Sequence, residues 1–122
     1  MQFQTRLTLL GRTDKTCWTS NGGLMLKLDE LPIPSSVEQA EQSIEILRVW
    51  AADGKQHVSL AGELWEDPAA WGLMLVDLAR HVARVYEQTS HQPSVEVLER
   101  IREGFDAEWH APTDEPTGAT EA

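Results

Sequence analysis

From Ile44 onward, apolar and polar positions alternate with clear periods. Ile44 to Ala51 (IEILRVWA) is dense in β-branched and aromatic residues and predicts a strand. Gln56 to Ala61 (QHVSLA) predicts a second, and Asp53-Gly54 between them predicts a type I′ hairpin turn, in which both central residues take positive φ. A two-residue loop fixes the register. Ala52 faces Lys55, Trp50 faces His57, Val49 faces Val58, Arg48 faces Ser59, and Leu47 faces Leu60. Side chains alternate between the faces of a strand. One hairpin face therefore carries Leu47, Val49, Val58 and Leu60, and the other Ile46, Arg48, Trp50, His57 and Ser59.

The period then changes to that of a helix. Asp67-Pro68 opens the longer one, since Asp is a favoured N-cap and Pro is tolerated at the first helical position. Trp71, Met74, Leu75, Leu78, Val82, Val85 and Tyr86 recur at three- and four-residue spacing to about Gln88. Leu73, Val76, Ala79 and Ala83 widen the apolar coverage, so the first half of this helix is expected to be buried on more than one side. Pro93-Ser94 opens another helix ending near Trp109, with the stripe Val97, Leu98, Ile101, Phe105 and Trp109. Glu96 with Arg100, and Arg102 with Asp106, are opposite charges four apart on its polar side. Gly104 lies on the stripe side, where it would permit close approach of another backbone. Trp71 and Trp109 are expected in the core, with Trp65 as a lid. Upstream, Pro32 and Pro34 push Leu31 and Ile33 toward extended backbone. Ser35 with Glu38, and Ser36 with Gln39, match a capping box, which predicts a short helix ending near Gln42.

The predicted fold class is α+β: a short helix, then a β-hairpin, extended by an N-terminal strand or by dimerisation, packed against two antiparallel amphipathic helices. The domain occupies residues 25–111. Residues 112–122, polar and acidic, are expected to be a disordered tail, and nothing after Ala61 reads as another strand. Residues 1–24 are an extension of different character. Arg6, Arg12 and Lys15 stand against Asp14 there, a balance of +2 that leaves −12 on the rest of a chain of net charge −10. Three origins are open for it: a poorly ordered extension, a start codon upstream of Met25, or a strand over Gln2–Leu10 with Phe3, Leu7 and Leu9 on one face. A secretory signal is rejected because no apolar core of the right length is present.

The hairpin, DPAAWG, LARHVA and RIREGFDAEW, taken in that order from Ile44 to Trp109, resemble a family of small uncharacterised bacterial proteins known only as a domain of unknown function. The resemblance covers about two thirds of the chain. It implies no activity and transfers no catalytic residue. It also places the start of the family's domain near Met25, which weakens any reading of residues 1–24 as core.

Composition narrows the chemistry. At 122 residues the chain holds one domain, and 41% hydrophobic with 25% charged residues excludes collagen-like, mucin-like and wholly disordered chains. The single cysteine, Cys17, excludes an internal disulfide and a cysteine-built zinc site. The acidic balance argues against nucleic-acid and membrane partners, and the expected location is the cytoplasm. No apolar run reaches membrane-spanning length. His57, His81, His91 and His110 form no H-x-x-x-H pair, and no phosphate-cradling or nucleophile motif occurs. Asp77 and His81, four apart with Arg84 following, could form a carboxylate-oriented base, but a polar border beside an apolar face is the ordinary reading. No catalytic, cofactor or metal residue is assigned, and no cofactor is expected.

One surface needs an explanation. Two helices cover one face of a two-stranded ribbon, which leaves Arg48, Trp50, His57 and Ser59 on the other. Trp and Arg are enriched at interface hot spots. In order of preference, that face is covered by a protein partner or second copy, by residues 1–33, or by a small ligand. The expected function is therefore a non-catalytic protein-interaction module, in the form of a homodimer joined along the hairpin edge. The alternatives are an acidic chaperone or adaptor, and a small-ligand protein or enzyme using Arg48, Trp50 and His57.

Overall fold

The computed structural model describes residues 28–122, so the expectations for residues 1–24, including the strand at Gln2–Leu10, lie outside the described residues. The chain divides into two units, Met1–Glu45 and Ile46–Ala122. In the first, residues 28–34 form no helix or strand, with Pro34 extended (φ −60°, ψ 136°), and a single turn follows, α1 (Ser35–Glu38). The amides of Val37 and Glu38 donate to the Pro34 carbonyl at 2.9 and 3.3 Å. The turn is shorter than predicted, and no side-chain cap forms. The reason is positional: Pro34 takes the N-cap place, which puts Ser35 inside the turn, where its hydroxyl has no free amide three residues ahead to cap.

The second unit opens with the hairpin, β1 (Leu47–Ala52) and β2 (Lys55–Leu60), antiparallel. Every predicted cross-strand pair is present, from Leu47 opposite Leu60 to Ala52 opposite Lys55. The turn geometry causes this. Asp53 (φ 52°) and Gly54 (φ 73°) both lie in the left-handed region that a type I′ turn requires. The ladder runs one step further, through the Ala61 amide donating to the Ile46 carbonyl at 2.9 Å.

Two helices follow, α2 (Ala69–Ser90) and α3 (Ser94–His110), packed on each other. Asp67 Oδ1 accepts the Ala69 amide at 2.9 Å, which satisfies one free donor of the first turn of α2. α2 ends at His91, which sits in the left-handed conformation that usually falls to glycine (φ 55°, ψ 25°). The Ser94 amide then donates to Glu87 Oε1 at 3.4 Å, tying the start of α3 to the last turns of α2. On α3, Arg102 pairs with Asp106 as predicted, at 3.6 Å, whereas Arg100 pairs with Glu103 rather than Glu96. Both acids lie within helical reach of Arg100, at i−4 and i+3, and on an exposed face the two pairings differ by only a few tenths of a kcal/mol, about the worth of either pair.

The tail departs most from expectation. Residues 112–122 were expected to be disordered, with no strand after Ala61; instead Thr120–Glu121 forms β3, parallel to β2, with Val58 beside Thr120 and Ser59 beside Glu121. The sheet order is β1-β2-β3. An open strand edge presents a row of unpaired N–H and C=O groups, and a short extended segment can pair with it through its main chain without any alternating apolar pattern to announce it.

Burial is sparse. Among the described residues only Ala83 (2% exposed) and Val97 (6%) are buried. These two mark the α2–α3 contact. Trp109, expected in the core, is 72% exposed and stacks on Phe105 with ring centroids 5.5 Å apart. Trp71, also expected in the core, is half-buried and meets the half-buried Trp65 edge to face at 5.1 Å, so the two rings cover each other rather than a core. Among the described residues, no strand Cα comes within 8 Å of a Cα in α2 or α3. The α+β class stands, but the helices' close neighbour is each other, and their apolar stripes remain largely uncovered. No described helix is long and apolar enough to cross a membrane.

Candidate functional site

Two surfaces stand out. The first is the hairpin face singled out from the sequence. Trp50 is directly opposite His57, and Arg48 directly opposite Ser59. Arg48, Trp50 and His57 are half-buried and Ser59 is exposed. The four residues are therefore neighbours, brought together by the Asp53-Gly54 turn. The C-terminal segment also arrives here. The Ala119 amide donates to His57 Nδ1 at 3.0 Å, and the Val58 amide donates to the Ala119 carbonyl at 3.0 Å. Since Nδ1 accepts, the ring proton of neutral His57 sits on Nε2.

The second surface was hidden by the assumption that an amphipathic stripe is a covered stripe. Between α2 and α3 lies an open groove of about 650 Å³. Leu75, Leu78, Ala79 and Val82 line it from α2, and Leu98, Ile101 and Phe105 from α3. Leu75 is 43% exposed, Leu78 46% and Phe105 51%. Gly72 lines one part of the groove, and a Cβ there would meet nothing within 4 Å. The charged residues on the groove are balanced: Arg80 and Arg102 against Glu99 and Asp106. The sequence held the signal for this in the breadth of the apolar face of α2, since more apolar positions recur there than one neighbouring helix can cover.

The Asp77–His81 border is laid out as a solvated helix surface. Asp77 pairs with Arg80 at 3.7 Å, with both side chains well exposed, and His81 is exposed as well. Among the described residues, no group of three or more His, Cys, Asp and Glu side chains is placed to hold a metal ion.

The family model for Domain of unknown function (DUF5076) matches residues 30–113. No curated protein matches the chain. A solved structure from the photosynthetic bacterium Rhodopseudomonas palustrus CGA009, provisionally named a pyruvate dehydrogenase, is 44% identical. The match covers 76% of this chain and 95% of that one, with a TM-score of 0.58.

Proposed function

The chain belongs to the family described as Domain of unknown function (DUF5076), and on that premise we propose that it is a non-catalytic interaction module of the bacterial cytoplasm that works as a homodimer joined through the α2–α3 groove. The observation that carries this reading is the burial pattern. A 22-residue and a 17-residue amphipathic helix pack together, yet only Ala83 and Val97 are removed from water among the described residues. Each apolar side chain that is buried contributes roughly 1.5–3 kcal/mol. A helix pair that leaves Leu75, Leu78, Val82 and Phe105 substantially in water forgoes most of its available stabilisation.

Size and charge favour a second copy as the cover. At 1.5 Å per residue α2 is about 33 Å long and α3 about 26 Å, and each helix presents a strip ~10 Å wide. Together that is on the order of 600 Å² in projection, the same order as the ~800 Å² of accessible surface per partner that a standard interface removes from water. A chain of net charge −10 repels its own copy over most of its surface. The groove carries two cations and two anions, so it is a surface on which two such chains can approach without that penalty. Two helix pairs facing each other would form a four-helix bundle with twofold symmetry.

We place the seam on this face in preference to the hairpin edge. The edge of β2 is occupied at Val58 and Ser59 by β3, while the helix face is larger and more apolar. Sedimentation equilibrium at micromolar concentration tests the proposal on wild type and on Leu75→Glu. The expected masses are two chains and one chain respectively. A wild-type mass of one chain at every accessible concentration overturns it.

A further inference from the structure

We infer that the β2 edge at Gln56–Ser59 is a strand-docking site and that the chain's own C-terminal segment Gly118–Glu121 is its resident and releasable occupant. This site is separate from the α2–α3 groove. Three observations define it.

The first is a main-chain contact pattern of the strand-addition kind. Val58 donates its amide to the Ala119 carbonyl at 3.0 Å, and Thr120–Glu121 runs parallel to Val58–Ser59. Main-chain pairing supplies affinity in such modes, while the side-chain positions supply choice of partner. The second is a side chain that tests the incoming backbone. His57 Nδ1 accepts the Ala119 amide at 3.0 Å, across 62 residues of sequence. A proline at that place lacks the donor and forfeits this hydrogen bond, which lies at the exposed edge of the sheet. The third is a slot without room for a side chain. A Cβ built on Gly118 would fall on the Gln56 carbonyl and crowd the His57 amide nitrogen, both of them backbone groups. A flexible side chain can move aside, but the backbone of a paired strand cannot do so cheaply. The site thus requires glycine, then a residue with a free N–H.

The occupant is held lightly. β3 is two residues long and exposed. The segment between Ala111 and Ala119 contains no helix or strand, and its start is tied by the Thr113 amide donating to Glu108 Oε1 at 2.9 Å. Short, exposed pairings of this kind open at low free energy relative to the rest of a fold. When the segment lifts, the Val58 amide and His57 Nδ1 lose their partners together, so the tail acts as a releasable cover of the strand edge.

The test uses the full-length chain labelled with ¹⁵N and a synthetic decapeptide of residues 113–122. Amide exchange at Val58 is the readout. Wild type should protect Val58, and Gly118→Val should speed its exchange several-fold, up to about tenfold, as loss of one hydrogen bond does. Ala119→Pro serves as a second release variant should the first fail to fold. Millimolar decapeptide, the range of a short tether's effective concentration, should restore protection in the released variant. A decapeptide carrying the same Gly→Val change should not. Val58 unprotected in wild type, exchange unaffected by both variants, or a native decapeptide that fails to restore protection each overturns the inference.

Discussion

Trp50 and His57 stand directly opposite each other across β1 and β2, and His57 is also the residue on which the C-terminal segment hangs, through Nδ1 and the Ala119 amide. One cross-strand pair therefore joins the hairpin to a segment 62 residues downstream. The register that places Trp50 and His57 together depends on the turn, and the turn depends on two residues at positive φ. A local substitution in the turn should be felt at the sheet edge.

Gly54→Ala is the direct probe. At φ 73° a Cβ costs about 1–2 kcal/mol. The expected result is a loss of that size in chemical denaturation, together with weaker protection of the Val58 amide. Asp53→Asn should be nearly silent, because Asn tolerates the left-handed region as well as Asp does. Equal losses from both substitutions would mean that the turn is not set by its φ angles.

The buried contact between the helices gives a second expectation. Val97 is one of the two buried residues among those described. Val97→Ala should cost roughly 1–3 kcal/mol, the range for removing methyl groups from a packed site. The neighbouring Val95, 78% exposed, should tolerate the same change within about 0.5 kcal/mol. Thermal melts of the two variants, run at one protein concentration, separate the cases.

The contrast between those two valines shows how much of the molecule was legible in the sequence. The hairpin register was readable to the residue, because Asp53-Gly54 admits one turn type and one pairing. The helix bounds were readable from Asp67-Pro68, Pro93-Ser94 and the 3.6-residue period. The single turn α1 was over-read, because a capping pattern cannot show which residue occupies the N-cap place. β3 was invisible for a physical reason. Two residues, Thr120 and Glu121, carry no alternation, and what holds them is main-chain pairing, a ring nitrogen and an absent side chain at Gly118. The groove was half visible. Periodicity locates an apolar stripe on each helix, but it does not say whether the cover comes from the same chain.

The polar border of α2 should prove structural only. Asp77 is ion-paired with Arg80 on a solvated face, and such i,i+3 pairs contribute about 0.2–0.5 kcal/mol. Asp77→Asn and His81→Gln should each change stability by roughly 1 kcal/mol or less. Both should leave the sedimentation mass at its wild-type value. A shift in mass caused by either variant would place this border inside an interface.

Two glycines supply a test of the groove in which the sign, rather than the size, decides. A Cβ added at Gly72 or at Gly104 meets nothing within 4 Å. In an isolated helix pair, replacing either glycine should therefore stabilise by about 1 kcal/mol through helix propensity alone. Gly72 lines the groove, whereas Gly104 is not among the residues that do. If a second copy fills the groove, a bulky residue at Gly72 occupies space the partner needs, and over-packing a filled interface typically costs ~1–3 kcal/mol. Gly104→Ala should raise the melting temperature with the dimer intact. Gly72→Leu should keep or raise helicity in circular dichroism while weakening association about tenfold in sedimentation. Stabilisation by Gly72→Leu with unchanged association would mean that the groove stays open to water, and the seam of the dimer would have to be sought elsewhere.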